Sequence, residues 1–498
     1  MDLEKSILSS IRDEATKLSM RHHAYHNSIA IENNRKKERT TSPNLLQVKK
    51  PDHWLVDKKY NPFYVNKHAK SIAHSIAKKI KDGTYAPQSP ELASIPKKSG
   101  GSREVSIYQI PDAAVSTLFY HRLLKKNKHR FSSFSYAYRN DRNVHFAIQD
   151  ISVELLHSSR IFVAEFDFRK FFDTISHEFL YAQFEQNGFL ISNEERNVIK
   201  AFLHGREKGI PQGTSISLFL ANLTCWKLDK QLEKEGLQFA RYADDTIIWS
   251  KDYSKISKAF DIISDFSIEA GVAINEDKSD GISLLCNEKM PSEIASRKSY
   301  IEFLGYSISV DNVSIKQESL IKIKRQISFI LYKHLIQPLN SIPLRAVKIP
   351  ANDEDEALLS AICEIRRYLY GDLNEEMIRS YLSGRSSRIY FKGIMSFYPI
   401  INNVEQMKSM DGWLVNEIYK AVQKRSRQLT NHSMPRSHSL PFSASRKELV
   451  GYCDSQLIHG KKLMKIPSFM TIYNAMKKGI TESGILAVTD PQSDNYDY

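Results

Sequence analysis

The segment that most constrains the fold is Tyr242-Ala243-Asp244-Asp245, which lies between two short apolar runs. Phe239 precedes it and residues 246–249 follow it, so β-branched and aromatic residues typical of strands flank it on both sides. The pattern predicts a β-hairpin with two adjacent carboxylates at its tip. Such carboxylates repel each other unless a cation neutralises them, and oxygen ligands of this kind suit Mg²⁺ or Mn²⁺. The hairpin is therefore predicted to carry half of a metal site.

A third carboxylate is expected at the end of the hydrophobic run of residues 161–167. Asp167 ends this run and is our candidate. Glu165 is the alternative, because side chains two residues apart lie on the same face of a strand. Three carboxylates from two neighbouring strands could hold two cations about 3.5 to 4 Å apart, an arrangement that catalyses phosphoryl transfer. A solvated Asp-Asp turn without a ligand is the competing interpretation.

A loop that contains glycine and proline lies between the two acidic segments. It comprises residues 209–217 and leads into an apolar helical pattern at residues 218–223. Glycine lets the backbone approach a ligand closely, and the first turn of a helix offers free N–H groups to anions. This loop is therefore a second candidate for contact with a substrate.

In chain order, these segments resemble the palm motifs of a reverse transcriptase, and the resemblance covers roughly residues 85–310. The palm motifs correspond to residues 166–175, Pro211-Gln212-Gly213, Tyr242-Ala243-Asp244-Asp245, residues 271–275 with Lys278, and residues 303–306; residues 95–103 and 134–139 resemble two fingers motifs. The implied fold class is α+β. It is a right-hand polymerase, with fingers and a palm built on an antiparallel sheet, followed by an α-helical C-terminal domain.

The resemblance also implies roles for individual residues. Asp167, Asp244 and Asp245 would be catalytic and would bind Mg²⁺ or Mn²⁺. Phe172 falls where a bulky ring crowds a 2′ hydroxyl, which predicts deoxynucleotide (dNTP) substrates. Lys278 falls where the family places either a general acid for pyrophosphate or a phosphate counterion. The predicted nucleotide-binding residues are Lys97, Lys98, Arg103, Phe172, Gln212 and Lys278, and the predicted nucleic-acid-binding residues are Lys125, Lys126, Arg130, Arg139, Phe303 and Gly305.

The charge of the chain is consistent with a nucleic-acid partner. Its 71 Lys and Arg residues exceed its 57 Asp and Glu residues, which gives a formal net charge of +14. Basic residues cluster between positions 121 and 130, and aromatic residues follow at positions 131–138. Basic groups can contact phosphates while aromatic rings stack on bases, so the cluster favours a groove for DNA or RNA. A solvated basic surface is the alternative.

The remainder of the chain suggests a subgroup. Ser217-Leu218 stands where many family members have Ser-Pro, and we find neither a retron-type Val-Thr-Gly after the fifth motif nor an intron-endonuclease signature. A helical C-terminal extension without an endonuclease resembles the bacterial abortive-infection and defence-associated reverse transcriptases. That resemblance implies anti-phage defence, homo-oligomers and, in some members, template-independent DNA synthesis that leaves DNA covalently attached to a protein hydroxyl. The 24 tyrosines do not single out a priming residue.

The predicted organisation has four regions: an N-terminal helical region (1–84), fingers (85–155), a palm with inserted fingers elements (156–310), and a thumb-like and C-terminal helical domain (311–498). The polar stretch of residues 33–43 reads as a loop after the first helix. The scattered Cys residues do not match a zinc site. With no secretion signal and no apolar segment long enough to span a membrane, we expect a cytoplasmic protein.

Three functions are compatible with the sequence. The first is an active reverse transcriptase, and the second is an RNA-dependent RNA polymerase with a similar palm. The third is a nucleic-acid-binding scaffold with a weakly active palm. Phe172 argues against the second function because an RNA polymerase must admit a 2′ hydroxyl, and the intact carboxylates argue against the third.

Overall fold

The computed structural model describes residues 2–39, 41–96, 101–156, 158–287, 289–291, 295–340, 355–431, 441–455, 457–458, 461–462 and 466–489. The predicted nucleotide-binding residues Lys97 and Lys98 lie outside these ranges.

The N-terminal region is a helical pair. Helix α1 (Leu3–Arg39) packs along α3 (Pro62–Lys81), and the short α2 (His53–Val56) and a 3-10 turn (Lys58–Tyr60) lie between them in sequence. Side chains four residues apart on α1 are buried from Leu3 to Ala15, as an amphipathic helix requires. The loop predicted from residue 33 is wrong for residues 33–39, which continue α1. The last turns of α1 contact other parts of the molecule, for example through an ion pair of 3.2 Å between Arg35 and Glu364.

The fingers begin with an antiparallel hairpin of β1 (Glu91–Pro96) and β2 (Ser102–Ile107). Two helices follow, α4 (Ile110–Asn127) and α5 (Val144–Leu155). Helix α4 packs against α1, so the N-terminal helix is attached to the fingers through apolar side chains such as Ile7, Ile11 and Phe119.

The palm is a five-stranded sheet with the order β4-β5-β3-β6-β7. Its strands are β3 (Arg160–Phe166), β4 (Gln238–Tyr242), β5 (Asp245–Ser250), β6 (Gly281–Cys286) and β7 (Arg297–Lys298). All neighbouring strands are antiparallel except β6 and β7. The palm helices are α6 (Phe171–Thr174), α7 (His177–Gln186), α8 (Asn193–Leu203), α9 (Ser215–Lys234) and α10 (Tyr253–Ala270).

Both faces of the palm sheet are buried, each in its own core. Along β5, Ile247 and Trp249 belong to one core and Ile248 belongs to the other, as the period of two requires. Helices α9 and α10 cover the face of Ile248, whereas α5 and the C-terminal helices cover the opposite face. The sheet is thus fixed from both sides, and the loops at its end are left to form a site.

A separate three-stranded sheet follows the palm, with the strands β8 (Ile301–Phe303), β9 (Tyr306–Ile308) and β10 (Val313–Ile315). The rest is mostly helical. It contains α11 (Gln317–Leu331), a π-helical turn (Tyr332–Ile336), α12 (Glu356–Tyr370), α13 (Glu375–Leu382), α14 (Val404–Asn431), α15 (Arg446–Ser455), the strand pair β11 (Leu457–Ile458) and β12 (Lys461–Lys462), α16 (Phe469–Ser483) and α17 (Ile485–Val488). The predicted α+β fold class with a helical C-terminal region is confirmed, while the domain boundaries stay predictions. No helix in the described part of the chain is long and apolar enough to cross a membrane.

Candidate active site

Strand register brings the three predicted carboxylates together. Strand β3 pairs antiparallel with β5, and Phe166 lies opposite Thr246. Continuing that register by one residue places Asp167 opposite Asp245. The predicted hairpin is formed by β4 and β5, and Ala243 at its turn has a left-handed backbone with φ of 60°. This conformation is unfavourable for a residue with a Cβ, so the surrounding structure must hold the turn in place.

The three carboxylates repel one another. Asp167 is 7% exposed, and Asp244 and Asp245 are half-buried. Burial and the neighbouring Asp167 raise the pKa of Asp244 to about 6. Burial, Asp244 and Asp167 raise the pKa of Asp245 to about 7, and Asp245 also shares a hydrogen bond with Asp167. The basic side chains near the site therefore do not fully neutralise its three carboxylates.

Asp167 is oriented by residues from the segment after α10. The side-chain amide of Asn275 donates to Asp167 Oδ2 at 2.7 Å, and Lys278 Nζ lies 3.1 Å from the same oxygen. The hydroxyl of Ser279 accepts a hydrogen bond from the Asp167 backbone N–H at 3.2 Å. Burial alone would lower the pKa of Lys278, but its contact with Asp167 raises it. Sequence analysis placed Lys278 at the site, but it gave Asn275 no role.

The three carboxylates do not form a ready-made metal centre. Within the described ranges, no group of three or more His, Cys, Asp or Glu side chains is arranged to hold a metal ion. The donor set still fits a divalent cation chemically, because carboxylate oxygens are the ligands that Mg²⁺ and Mn²⁺ prefer. The raised pKa values of Asp244 and Asp245 are also the mark of carboxylates that lack a compensating cation. To bind an ion, Asp167 and Asp245 would exchange their mutual hydrogen bond for bonds to it.

A buried arginine supports the hairpin that carries two of these carboxylates. Arg241 is fully buried and forms a bidentate ion pair with Asp229 of α9, with both N–O distances at 2.6 Å. One of its nitrogens donates to the carbonyl of Ala243 at 2.9 Å, which fixes the strained turn. It also donates to the hydroxyl of Ser135 at 2.7 Å. The guanidinium therefore joins the palm helix, the turn and the fingers.

The backbone of Arg241 strengthens this connection. Its N–H donates to the carbonyl of Phe134, and its carbonyl accepts from the N–H of Tyr136, both at 2.9 Å. Arg241 was not predicted from the sequence. It stands between Ala240 and Tyr242 in an otherwise apolar strand, and a charged residue at such a position needs a buried partner, so this pattern could have indicated it.

An aromatic pair lies beside Asp244. The rings of Tyr138 and Phe172 meet edge to face, with centroids 6.4 Å apart. Burial and then the charge of Asp244 raise the pKa of Tyr138, so its hydroxyl lies close to the carboxylates. Tyr138 has φ of 59°, and Tyr120 Oη donates to its carbonyl at 3.0 Å. Sequence analysis included Tyr138 only as a possible stacking residue of the fingers, although it adjoins the carboxylates.

The predicted substrate loop packs between the palm and the fingers hairpin. Ser106 of β2 donates from its N–H to the carbonyl of Gln212 at 2.8 Å. A Cβ on Gly213 would come within 2.6 Å of the Ser106 carbonyl, so only glycine fits. The Gln212 side chain donates to Asp173 at 3.1 Å. The charge of Arg103, also on β2, offsets part of the rise in the pKa of Asp244. This predicted phosphate ligand therefore lies near the carboxylates.

The predicted nucleic-acid residues of the fingers fall into two groups. Lys125 is exposed, and Lys126 and Arg130 are exposed but also contact Glu195 and the carbonyl of Gly188. Arg139 is different. Its side chain is 4% exposed, and it bonds Asp141 and the carbonyl of Ser132. These contacts of Arg139 are structural, and its contact with nucleic acid stays a prediction.

The fifth motif forms the turn between β8 and β9. Phe303 is 5% exposed and packs in the core, and its contact with nucleic acid stays a prediction. Gly305 lies in the turn with φ of 84°, and its carbonyl accepts from the N–H of Lys316 at 2.9 Å. The backbone around Gly305 remains the candidate for a nucleic-acid contact.

Comparison with known proteins agrees with this geometry. Residues 95–308 match the family described as reverse transcriptase (RNA-dependent DNA polymerase). The chain is similar to the retron Ec86 reverse transcriptase of Escherichia coli, with 26% identity over 178 residues, which are 35% of this chain and 51% of that protein. It is also similar to protein YkfC of Escherichia coli strain K12, with 27% identity over 169 residues, 31% of this chain and 44% of that protein. The chain thus spans about half the length of the curated relatives it matches.

Similar solved structures are telomerases. The telomerase of Candida tropicalis in complex with a TWJ fragment of telomeric RNA has a TM-score of 0.37 and 14% identity, covering 82% of this chain and 75% of that one. The corresponding Candida albicans complex has a TM-score of 0.36 and 12% identity, covering 80% and 69%. The family match thus covers residues 95–308, the part of the chain that contains the palm sheet and the three carboxylates.

Proposed function

We propose that this protein is a DNA polymerase, RNA-directed or template-independent, that adds dNTPs by two-metal phosphoryl transfer. The observation that carries the proposal is the approach of Asp167 to Asp245 and Asp244 at the ends of paired strands. Burial and then their mutual repulsion raise the pKa of Asp244 and Asp245, which is the expected property of a cation site.

In this proposal the chain supplies the ligands and their orientation. Asp167, Asp244 and Asp245 would hold two Mg²⁺ or Mn²⁺ ions, and Asn275 keeps an Asp167 oxygen in place through its 2.7 Å hydrogen bond. Such ions, when bound, favour ionisation of the attacking hydroxyl and neutralise charge on the phosphates. The Arg241 guanidinium holds the turn so that the carboxylates need not reorganise during the reaction.

The incoming nucleotide would lie between the hairpin tip and the fingers. Arg103 is close enough to Asp244 to affect its pKa, and its planar fork suits phosphate oxygens. Gln212 borders the same space through its contact with Asp173. Lys278 pairs with Asp167, which favours the counterion role, while proton donation to pyrophosphate is the alternative.

The sugar preference would come from Phe172. Its ring is held edge to face against Tyr138, next to Asp244. The ring therefore cannot easily move away from the 2′ hydroxyl of a bound nucleotide. This supports DNA synthesis over the alternative of an RNA-dependent RNA polymerase. The buried, hydrogen-bonded support of the carboxylates argues against a scaffold with a weakly active palm.

Incorporation of labelled nucleotides tests these functions against each other. The wild-type chain and the Asp244→Asn/Asp245→Asn variant would be given dNTPs or NTPs with Mg²⁺ or Mn²⁺. We expect dNTP incorporation by the wild type and a loss of at least about 1,000-fold in the variant, since two cation ligands are removed. Preferred use of NTPs would favour the RNA polymerase, and equal activity of the two proteins would contradict the site.

We further propose a role in bacterial anti-phage defence by abortive infection, with a homo-oligomeric and cytoplasmic protein. Its support is the resemblance given by the helical region from α11 to α17, which follows the palm without an endonuclease motif in the sequence. In this proposal DNA or RNA is the partner, and synthesis can start from a protein hydroxyl. Plaque counts on cells that express the wild type or the Asp244→Asn/Asp245→Asn variant test the role: only the wild type should reduce them.

DNA released from the purified protein by nuclease, and absent from the variant, would support protein priming.

A further inference from the structure

A cavity of about 510 Å³ lies outside the candidate active site, between α1, residues 49–54 and the start of α4. Its size falls within the range of about 300 to 1,000 Å³ that small-ligand sites occupy. The cavity shares no residue with the carboxylate cluster, and neither the palm motifs nor the proposed chemistry explains it.

The walls of this cavity are aromatic. His22 and Tyr25 of α1 contribute rings from one side, and Trp54 of α2 contributes its indole from the other. The His22 and Trp54 centroids are 5.0 Å apart and tilted by 54°, and Tyr60 and Tyr108 complete the lining. Trp54 is half-buried and Tyr25 is exposed, so ring surface is accessible to a planar ligand. Stacking on aromatic rings is the way in which proteins hold unpaired bases.

The charged groups of the cavity are all basic. Arg21, Lys49 and Lys50 lie on its rim, and none of its thirteen described lining residues is acidic. Within the described part of the chain, these three cations form no ion pair. This differs from the neighbouring surface, where Lys333 and Arg35 both pair with Glu32. Unpaired cations around an aromatic pocket suit a ligand that combines a flat ring with a phosphate.

The segment that carries the two lysines is anchored and not a loose loop. Asn33 of α1 bonds both the N–H and the carbonyl of Leu46, at 2.8 and 2.9 Å. The N–H of Lys49 donates to Tyr25 Oη at 3.4 Å. On the other side, Tyr60 Oη donates to the carbonyl of Ile107 at 3.2 Å. The backbone that carries the two lysines, and the hydroxyls of Tyr25 and Tyr60, therefore already have partners before any ligand arrives, which reduces the entropy cost of binding.

We propose that this cavity binds one nucleotide unit of a single-stranded nucleic acid, with the base against Trp54 and Tyr25 and the phosphate on Arg21, Lys49 and Lys50. Ile107 of the lining ends β2, which also carries Arg103, so the two residues lie about 13 Å apart along the strand. A strand that follows β2 could occupy both places. This second site goes beyond the polymerase chemistry and would retain a strand while its end is extended or copied.

Tryptophan fluorescence of the full chain tests the proposal directly. The chain has four tryptophans, so the signal of Trp54 is the difference between the wild type and Trp54→Phe. We expect short single strands of RNA or DNA to quench the wild type in a saturable way and to leave Trp54→Phe almost unquenched, because the stacked base contacts this indole. Measured by fluorescence anisotropy of a labelled strand, Lys49→Glu/Lys50→Glu should weaken binding at least about tenfold.

Lys67→Glu/Lys70→Glu is the matched control, because both lysines are exposed on α3, carry the same charge and do not line the cavity. This variant should bind within about twofold of the wild type. An equal loss in the control, or an unchanged quench in Trp54→Phe, would overturn the proposal. A quench by AMP at the same concentration as by a strand would overturn the assignment to a strand in favour of a free nucleotide.

The polymerase function and this second site can fail independently. In an Asp244→Asn/Asp245→Asn background, dNTP incorporation should be lost while the Trp54 quench persists with unchanged affinity. If the quench disappeared with the active-site carboxylates, the strand would be bound at the palm only, and the second site would be refuted.

Discussion

The palm and the C-terminal helical region each contain a buried Arg–Asp pair, but the two pairs bond to different kinds of backbone segment. In the palm, Arg241 pairs with Asp229 and holds the carbonyl of Ala243 in the turn beside two catalytic candidates. In the helical region, Arg425 pairs with Asp355 at 2.7 Å and holds the carbonyl of Leu335 at 2.9 Å. The same interaction thus holds a strained turn in one region and joins helices in the other.

The partners of the second pair explain its structural role. Asp355 is the residue before α12, and its carboxylate also accepts from the N–H of Ala357 at 3.0 Å. Arg425 lies on α14, and Leu335 lies in the π-helical turn after α11. Three helical segments therefore meet at one ion pair. The two pairs differ in what they contact: the palm pair reaches the backbone of a turn with a left-handed residue, and the other reaches only helical segments.

The largest expected effects come from breaking these two pairs. Arg241→Met and Arg425→Met should each reduce the free energy of unfolding by about 3–5 kcal/mol, because each leaves an uncompensated buried carboxylate. Denaturant unfolding measures this loss. At a temperature where both variants remain folded, dNTP incorporation should fall at least about tenfold in Arg241→Met and stay within about twofold in Arg425→Met.

A double variant separates positioning from stability. Arg241→Met/Asp229→Leu removes both charges and should regain most of the lost stability, since an apolar replacement of a buried pair is often tolerated. It should not regain dNTP incorporation, because the Ala243 carbonyl still lacks its donor. Full recovery of activity together with stability would show that the palm pair is structural, like the one in the helical region.

A smaller effect is expected from changing one aromatic residue in each region. Phe172→Val should reduce the preference for dNTPs over NTPs by about 10- to 100-fold, the range of about 1–3 kcal/mol that a pocket gains from one group. Single-nucleotide incorporation with competing dNTP and NTP measures it. Tyr370→Phe in α12 removes the 2.7 Å hydrogen bond to the carbonyl of Ser468 and should change stability without changing this preference. An unaltered preference in Phe172→Val would remove the sugar-selecting role from that ring.

The smallest expected effect is a difference in how the two regions depend on pH. In metal-free protein, the pKa values of about 6 and 7 for Asp244 and Asp245 exceed the ordinary value. These groups therefore stabilise the fold at low pH and lose that contribution as the pH rises from about 4 to 7. In the helical region, burial alone would raise the pKa of Glu364, but His334, Lys333 and Arg35 hold it at about 2. Its contribution is present above about pH 4 and is lost as the pH falls toward 2.

Two neutral substitutions measure this contrast. Without divalent cations, Asp245→Asn should stabilise the protein at pH 7.5 by about 1–2 kcal/mol and much less at pH 5. Glu364→Gln should destabilise it at pH 7.5 by a similar amount, and the difference should shrink toward pH 3. Thermal unfolding at these pH values provides the comparison. Destabilisation of the protein by Asp245→Asn at pH 7.5 would show that the palm carboxylates do not repel one another.

The sequence predicted those parts of the molecule that depend on local pattern. The two apolar runs around Tyr242-Ala243-Asp244-Asp245 predicted the hairpin, and the run that ends at Asp167 predicted β3. The hairpin and β3 are both present. The resemblance to reverse transcriptases is confirmed for residues 95–308, and the fold class is confirmed as well. The metal-binding and nucleotide-binding roles of the individual residues stay predictions.

The features that sequence analysis missed depend on distant contacts. The partner of Arg241 on the fingers, Ser135, is 106 residues away, and Asn275 meets Asp167 across 108 residues. Such distant pairs cannot be predicted from the spacing of residues in a local sequence pattern. The burial of Phe303 has the same origin, because residues from distant segments form the core that encloses its ring. The continuation of α1 through residues 33–39 likewise depends on partners such as Glu364.

The most direct test compares two carboxylates on the same strand face. Asp167→Asn and Glu165→Gln both remove one negative charge near the end of β3, and only Asp167 meets the hairpin carboxylates, whereas Glu165 pairs with Lys298. Labelled dNTP incorporation with Mg²⁺ would be measured for both variants and the wild type. We expect a loss of at least about 1,000-fold in Asp167→Asn and activity within about threefold of the wild type in Glu165→Gln. Wild-type activity in Asp167→Asn would contradict the account.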